Sequence, residues 1–227
     1  MEGRKYYEAY DERYQQIHGM ELKWFMEEPS GIVMETLVEN GIGPHSRILE
    51  LGCGEGRDAL FLLRKGYNVL GTDVSGAAVD YCRKLAPEFW ESFQVLDCVK
   101  QRVPEKFDFI YAVAVVHMLV EDADRNAFYG FFREQLKQTG IGLICSMGDG
   151  EMERKSDIAT AFDLQERIHE ESGKTVKIAG TSYRAVSFDS FRRELDANGL
   201  EIIKEGFTDI QPDYWKMMFA VVKKKAY

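Results

Sequence analysis

The sequence predicts an α/β protein built on a doubly wound, mostly parallel sheet that ends in an antiparallel hairpin. Three observations carry this. Short, uniformly apolar runs alternate with helix-length segments between Arg47 and Met147, the pattern of buried parallel strands with crossover helices. A glycine-rich turn, ELGCGEG, stands directly after the first of these runs. The last two apolar runs are separated by a turn around Gln211-Pro212-Asp213, too short to hold a crossover helix.

Taken in order, Tyr6, Tyr7, Tyr10 and Tyr14 recur at helix-like spacing, and Pro29-Ser30-Gly31 interrupts before a second helical stretch at 32–38. Residues 1–45 thus form a helical cap. Strand 48–51, helix 58–64 and strand 68–72 make one βαβ unit, and a helix at 77–84 follows. Strands at 93–96, 107–114 and 141–147, with a helix at 126–137, continue the alternation. Residues 148–187 are a polar insertion, expected to be helical at 158–171 and strand-like at 175–186, of a length that suits a substrate-covering lid. A helix at 188–198 and a hairpin of strands 200–205 and 215–223 close the chain. No repeat or linker divides it, so residues 1–227 are expected to be one domain.

Composition narrows the function. A formal charge of -9 opposes attraction to phosphate backbones and anionic lipid, so neither nucleic acid nor membrane is expected as a partner. Cys53, Cys82, Cys98 and Cys145 are widely spaced, as in a reducing compartment. The N-terminal residues lack an apolar signal region, and no run approaches the roughly 18 apolar residues that span a bilayer, which predicts a cytoplasmic protein. Asp122 and Asp124 read as helix-start residues rather than metal ligands, and no metal site is expected.

In ILELGCGEGRDALFLLRKGYNVLGTDVS, Gly52, Gly54 and Gly56 let the backbone turn sharply and approach a ligand where a Cβ would clash. Asp73 ends the next strand, about 20 residues on, where a carboxylate can accept from ribose hydroxyls. Together they define a nucleoside site. Dinucleotide enzymes use G-x-G-x-x-G, whereas here the third glycine comes one residue early, which argues against a nicotinamide oxidoreductase.

This E-x-G-x-G-x-G form resembles the first motif of the class I S-adenosylmethionine-dependent methyltransferases, and the resemblance extends over roughly residues 46–144. It implies a Rossmann-like, seven-stranded sheet with a final antiparallel hairpin, and S-adenosylmethionine as cofactor with S-adenosylhomocysteine as product. Glu50 would sit near the cofactor's amino group, the backbone of Gly52, Cys53, Gly54 and Gly56 against its methionine part, and Asp73 with Val74 at the ribose. Asp97 matches the acid that contacts the adenine amino group, with Cys98 beside it. Ala112 and Ala114, at the end of the fourth strand, complete the expected cofactor set. The glycine-rich stretch, with Arg57 and Asp58, is also similar to the tellurite-resistance and thiopurine methyltransferase subgroup.

The family keeps acceptor-side residues after the fourth strand, here AVAVVHMLVED, which makes His117 a candidate base. The N/D-P-P-Y/F signature of amino-methylating DNA and glutamine enzymes is absent, as is a Pro-Cys dipeptide for attack on cytosine. Tyr6, Tyr10, Tyr14, Trp24 and Phe25 either close over the sulfonium, whose charge is attracted to aromatic faces, or form the buried stripe of an amphipathic helix, the reading that fits most of them. Tyr183 and Arg184 are candidate substrate contacts by position. The expectation is methyl transfer to a small-molecule acceptor by a monomer or weak homodimer; the alternative is a non-catalytic S-adenosylmethionine-binding or regulatory protein.

Overall fold

A computed structural model describes residues 4–24, 28–169, 172–210 and 214–226. Along the chain come α1 (Ala9–Gly19), α2 (Gly31–Glu39), β1 (Arg47–Leu51), α3 (Arg57–Arg64), β2 (Asn68–Asp73), α4 (Gly76–Leu85) and β3 (Phe93–Val95). They are followed by β4 (Phe107–Val113), α5 (Asp122–Gln135), β5 (Leu136–Met147), and the insertion strands β6 (Arg154–Lys155), β7 (Leu164–Ile168), β8 (Thr175–Ala179) and β9 (Arg184–Ala185). Last are α6 (Phe188–Ala197), β10 (Leu200–Ile210) and β11 (Tyr214–Lys224).

Seven of these strands form one sheet in the order β10-β11-β5-β4-β1-β2-β3. Only β11 runs against its neighbours, pairing antiparallel with both β5 and β10; the other pairs are parallel. The turn at Gln211-Pro212-Asp213 and the side chain of Phe25 lie outside the described residues.

Why the sheet is covered on both faces is visible in the strand residues. Leu49, Ile110, Ala112, Ile144, Met218 and Ala220 pack into one apolar cluster with α5 and α6, through Phe128, Phe132, Phe191 and Leu195. The alternate residues Ile48, Phe109, Tyr111, Leu143, Met217 and Phe219 pack into a second cluster with α2, α3 and α4. Successive strand side chains point to opposite faces, so a run apolar at every position demands helices on both. The strand order reverses direction from β1, with β4 on one side and β2 on the other. In such sheets the crevice for a ligand opens beyond the carboxyl ends of those strands.

The insertion departs from expectation. In place of a helix over 158–171 there is a single 3-10 turn, Ile158–Thr160, followed by β7. The expected strand at 175–186 is two short strands, parted by a turn in which Thr181 takes φ +63°. Tertiary packing decides this: Val176 and Ile178 of β8 are buried against Ile17 of α1. β8 holds β7 as its antiparallel partner, and every residue of β7 is exposed. α5 also starts earlier than expected, with Asp122 and Asp124 in its first turn, where carboxylates complement the helix dipole. Among the described residues, no helix is long and apolar enough to cross a membrane.

Candidate functional site

The crevice is built around the turn from β1 into α3. Gly52 and Gly54 adopt φ +72° and +52°, a region that costs side-chain-bearing residues about 1–2 kcal/mol. A Cβ on Gly52 would overlap Cγ2 of Val115, and one on Gly54 would stand 2.7 Å from the Tyr14 hydroxyl oxygen. The turn is therefore a backbone cradle pressed between the end of β4 and α1. Asp73 fixes it from β2: its Oδ2 accepts from Gly54 N–H at 2.9 Å and its Oδ1 from Ser75 N–H at 2.8 Å. Burial raises the Asp73 carboxyl to about 6 despite these bonds.

Two connected hollows flank the cradle. One, about 640 Å³ counting its open mouth, is lined by Tyr7, Asp73, Val74, Leu96, Asp97 and Cys98, with Met118 as floor. The other, about 810 Å³, is lined by Arg13, Trp24, Glu50, Cys53, Glu55 and Ala114. Tyr10, Tyr14, Gly52 and Met118 belong to both. Glu50 is 3% exposed and its Oε2 has no hydrogen-bond partner among the described residues. Burial, and then the charge of Asp58, pushes its carboxyl well above the usual range. A buried carboxyl of this kind is costly unless an ammonium or other donor meets it.

Residues 4–24 roof the crevice. Tyr7 donates its hydroxyl proton to Asp97 Oδ2 at 3.0 Å. Asp11 Oδ1 accepts from Ser75 Oγ at 2.6 Å and from Ala77 N–H at 3.1 Å, in the first turn of α4. Glu55 accepts the Trp24 N–H at 2.8 Å and lies 2.8 Å from His18 Nε2. Arg13 donates to the carbonyls of Ala179 and Gly180 and to Thr181 Oγ1, joining the roof to the insertion.

Most of the residues expected from sequence meet here: Glu50, Gly52, Cys53, Gly54, Asp73 and Val74 around the cradle, Asp97 and Cys98 beyond β3, Ala114 beyond β4, and Tyr10, Tyr14 and Trp24 above. Ala114 takes φ +59°, the kind of backbone strain that collects at functional sites. Others stand elsewhere. Gly56 caps α3 behind the cradle, and Ala112 is fully buried under α5. The Tyr6 hydroxyl accepts from the Val120 and Glu121 N–H groups at 2.8 and 3.1 Å. Tyr183 lies beside Arg154, and Arg184 pairs with Asp122 at 2.5 Å. Neither lines the two hollows.

His117 also lines neither hollow. It is 1% exposed, its Nδ1 accepts from Met147 N–H at 3.4 Å, and burial, aided by the charge of Arg125, lowers its pKa to about 3. It is neutral throughout the physiological range. Because this folded pKa lies below the ordinary value near 6.5, the neutral ring's contribution to stability is present above pH 6.5 and is lost as pH falls toward 3. His117→Gln is expected to flatten that acid limb in urea melts taken between pH 3 and 6.5, and to leave ligand affinity unchanged.

Among the crevice residues that the sequence did not single out are Tyr7, Arg13 and Glu55. A signal for Tyr7 exists, since positions 7, 10 and 14 follow the i, i+3, i+7 stripe that faces the sheet. Arg13 and Glu55 carried none, because a charged side chain beside a glycine or on a helix reads as solvated. Among the described residues, no group of three His, Cys, Asp or Glu side chains is placed to hold a metal ion.

Residues 48–140 match the family model of the methyltransferase domain. A 54-residue stretch is 32% identical to the ribosomal RNA small subunit methyltransferase C of Alcanivorax borkumensis, covering 24% of this chain and 17% of that protein. The chain thus spans under a fifth of that curated relative. Among solved structures, the CcbJ methyltransferase of Streptomyces caelestis superposes with a TM-score of 0.71 at 16% identity, over 95% of this chain and 99% of that one. The 1,6-didemethyltoxoflavin-N1-methyltransferase of Burkholderia thailandensis, solved with 1,6-didemethyltoxoflavin and S-adenosylhomocysteine bound, gives 0.70 at 16% identity over 99% and 92%.

Proposed function

We propose that the chain is a class I methyltransferase that binds S-adenosylmethionine and methylates a small-molecule acceptor, a reading supported by the methyltransferase-domain match over residues 48–140 and by the strand order of the sheet. The observation that carries this is the buried Glu50 carboxyl, whose Oε2 has no hydrogen-bond partner among the described residues and which lines a hollow beside a cradle that a Cβ would fill. An amino-acid ammonium satisfies Glu50, and bare backbone at Gly52 and Gly54 admits the chain that joins it to the nucleoside. Asp73 accepts from the ribose hydroxyls and Asp97, held by Tyr7, faces the base. Bound there, the cofactor supplies a methyl group already activated by the sulfonium.

What remains for the protein is positioning and exclusion of water. The aromatic roof of Tyr10, Tyr14 and Trp24 performs both. His117 is too buried and too weakly basic to take a proton, and Glu55 is engaged by Trp24 and His18. This suits an acceptor that is nucleophilic without a strong base, a thiol or an unprotonated amine. The charge of -9 favours a small acceptor over a polynucleotide.

Calorimetric titration with S-adenosylhomocysteine, beside NAD, tests the cofactor. Saturable binding of the first alone is expected, and no binding of it would sink the reading. A panel of small thiols and amines, scored by mass for an added methyl, then tests turnover; binding without turnover across the panel would return the chain to a non-catalytic S-adenosylmethionine binder.

Asp73 gives this binding a pH dependence. Its folded pKa of about 6 is raised, so in the ligand-free protein the buried carboxyl destabilises the fold increasingly as pH climbs from 3.8 to about 6. Acceptance from ribose hydroxyls needs the ionised form. Affinity for S-adenosylhomocysteine is therefore expected to be about tenfold weaker at pH 5 than at pH 7. Asp73→Asn should be weak at both pH values and reduce the dependence to what the raised Glu50 carboxyl contributes.

A further inference from the structure

The β7–β8 hairpin of the insertion has one covered edge and one open edge. Gly180 N–H donates to the Asp163 carbonyl and His169 N–H to the Lys174 carbonyl, both at 2.8 Å. Hydrogen-bonded and non-hydrogen-bonded pairs alternate along an antiparallel ladder, so Gln165 and Arg167 also turn their backbone groups toward β8. Leu164, Glu166 and Ile168 turn theirs outward. On the far side of β8 the outward groups are taken: Ala179 N–H donates to Gln16 Oε1 at 2.7 Å, and the Ala179 carbonyl accepts from Arg13. Among the described residues, no strand pairs with β7 besides β8, and all five residues of β7 are exposed.

β10, the outermost strand of the main sheet, is interrupted by register shifts at Ile202/Lys204 and Thr208/Ile210, irregularities of the kind that keep edge strands from pairing. β7 holds a regular register along its whole length and contains no proline. It also carries Leu164 and Ile168, 52% and 71% exposed, on the face it shares with Glu166.

This edge is complementary to itself. Two copies of β7 laid antiparallel about a two-fold axis through Glu166 set each Leu164 opposite an Ile168 on one face, and each Gln165 opposite an Arg167 on the other. Leu164, Glu166 and Ile168 then form the hydrogen-bonded pairs, so every outward N–H and C=O of β7 is satisfied. The two Glu166 carboxylates meet on the axis, and Lys177 stands across the hairpin from each. The row reads Lys, Glu, Glu, Lys and carries no net charge, which lets copies of a protein with charge -9 approach there with little repulsion.

We propose that β7 docks against β7 of a second copy, joining two insertions in a four-stranded sheet of order β8-β7-β7-β8. So short an edge buries less than the roughly 1,200 Å2 of a stable interface, and the dimer is weak and reversible. Through β8, with its bonds to Arg13 and Gln16, the pairing braces the roofs of both copies.

The test needs no ligand and stands apart from the cofactor reading. Sedimentation equilibrium from micromolar to submillimolar protein is expected to show the mass rising from one chain toward two; a mass of one chain throughout overturns the proposal. Ile168→Lys, at a site too exposed to unsettle the fold, should weaken association at least about tenfold. Unchanged association in that variant also overturns it, because another surface then joins the copies. Crosslinking reads the symmetry. Glu166→Cys sets two thiols on the axis with Cα atoms about 5.5 Å apart, within disulfide reach, so mild oxidation should give a covalent dimer above the background of the wild type, whose own cysteines are buried or half-buried. Leu164→Cys sets its two thiols about 14 Å apart along the strands and should give none until combined with Ile168→Cys. Equal crosslinking of Glu166→Cys and Leu164→Cys would overturn the register, and the interface with it.

Discussion

Gly52→Ala is expected to weaken S-adenosylhomocysteine binding by about 100-fold, or about 2.7 kcal/mol. The added methyl meets Val115 Cγ2 at less than contact distance, and φ +72° disfavours any L side chain. Val115 is β-branched and stiff at χ1, so it yields by moving the strained turn that follows β4, which narrows the hollow it lines. Backbone strain and overpacking together should also cost about 2–4 kcal/mol of folding stability. Calorimetry and urea melts on the same variant separate the two. A variant that binds within threefold of wild type would show that the cradle has room to spare and that the close approach to Val115 is incidental.

The second large effect lies outside the crevice. Arg125 is 1% exposed, and its guanidinium takes both oxygens of Glu194 at 2.8 and 2.6 Å while Nη1 donates to the carbonyls of Val116 and Leu119 at 2.8 and 3.2 Å. Those carbonyls belong to the turn whose Val115, Met118 and Leu119 floor one hollow. Arg125→Met removes the fork and leaves Glu194 and the turn without it, an expected loss of about 3–5 kcal/mol. Adding Glu194→Leu should recover part of that loss, because the double variant no longer strands a carboxylate. It should not restore ligand affinity, since the turn still lacks its clamp. Recovery of both in the double variant would mean that the turn holds its shape without Arg125.

How far the sequence spoke for itself depended on whether neighbours in sequence are neighbours in space. β1, Gly52, Gly54 and Asp73 form one βαβ unit, so spacing alone located them. The period of the buried runs was equally local, as Leu49 and Ile48 facing opposite clusters illustrate. His117 misled because its neighbour in sequence, Met118, floors the crevice while the ring itself is turned into the packing beside β5. The insertion misled for a related reason. Leu164 and Ile168 sit at helical spacing, yet β7 is held by β8, and β8 by Ile17 more than 150 residues earlier. No window along the chain contains that contact. Arg13 belongs to the same class, a cation whose acceptors at Ala179 and Gly180 are legible only once the roof is in place.

The roof has a consequence for the order in which the molecule assembles. Tyr10 and Arg13 are separated from their partners Ser182 and Ala179 by 172 and 166 positions. The entropy of closing so long a loop is offset only after the intervening sheet has brought the ends together. On a ribosome, residues 4–24 emerge before the insertion and wait for it to be synthesised before they can dock. The crevice is therefore among the last features to form, and amide exchange should find the roof opening at lower cost than the strands beneath it.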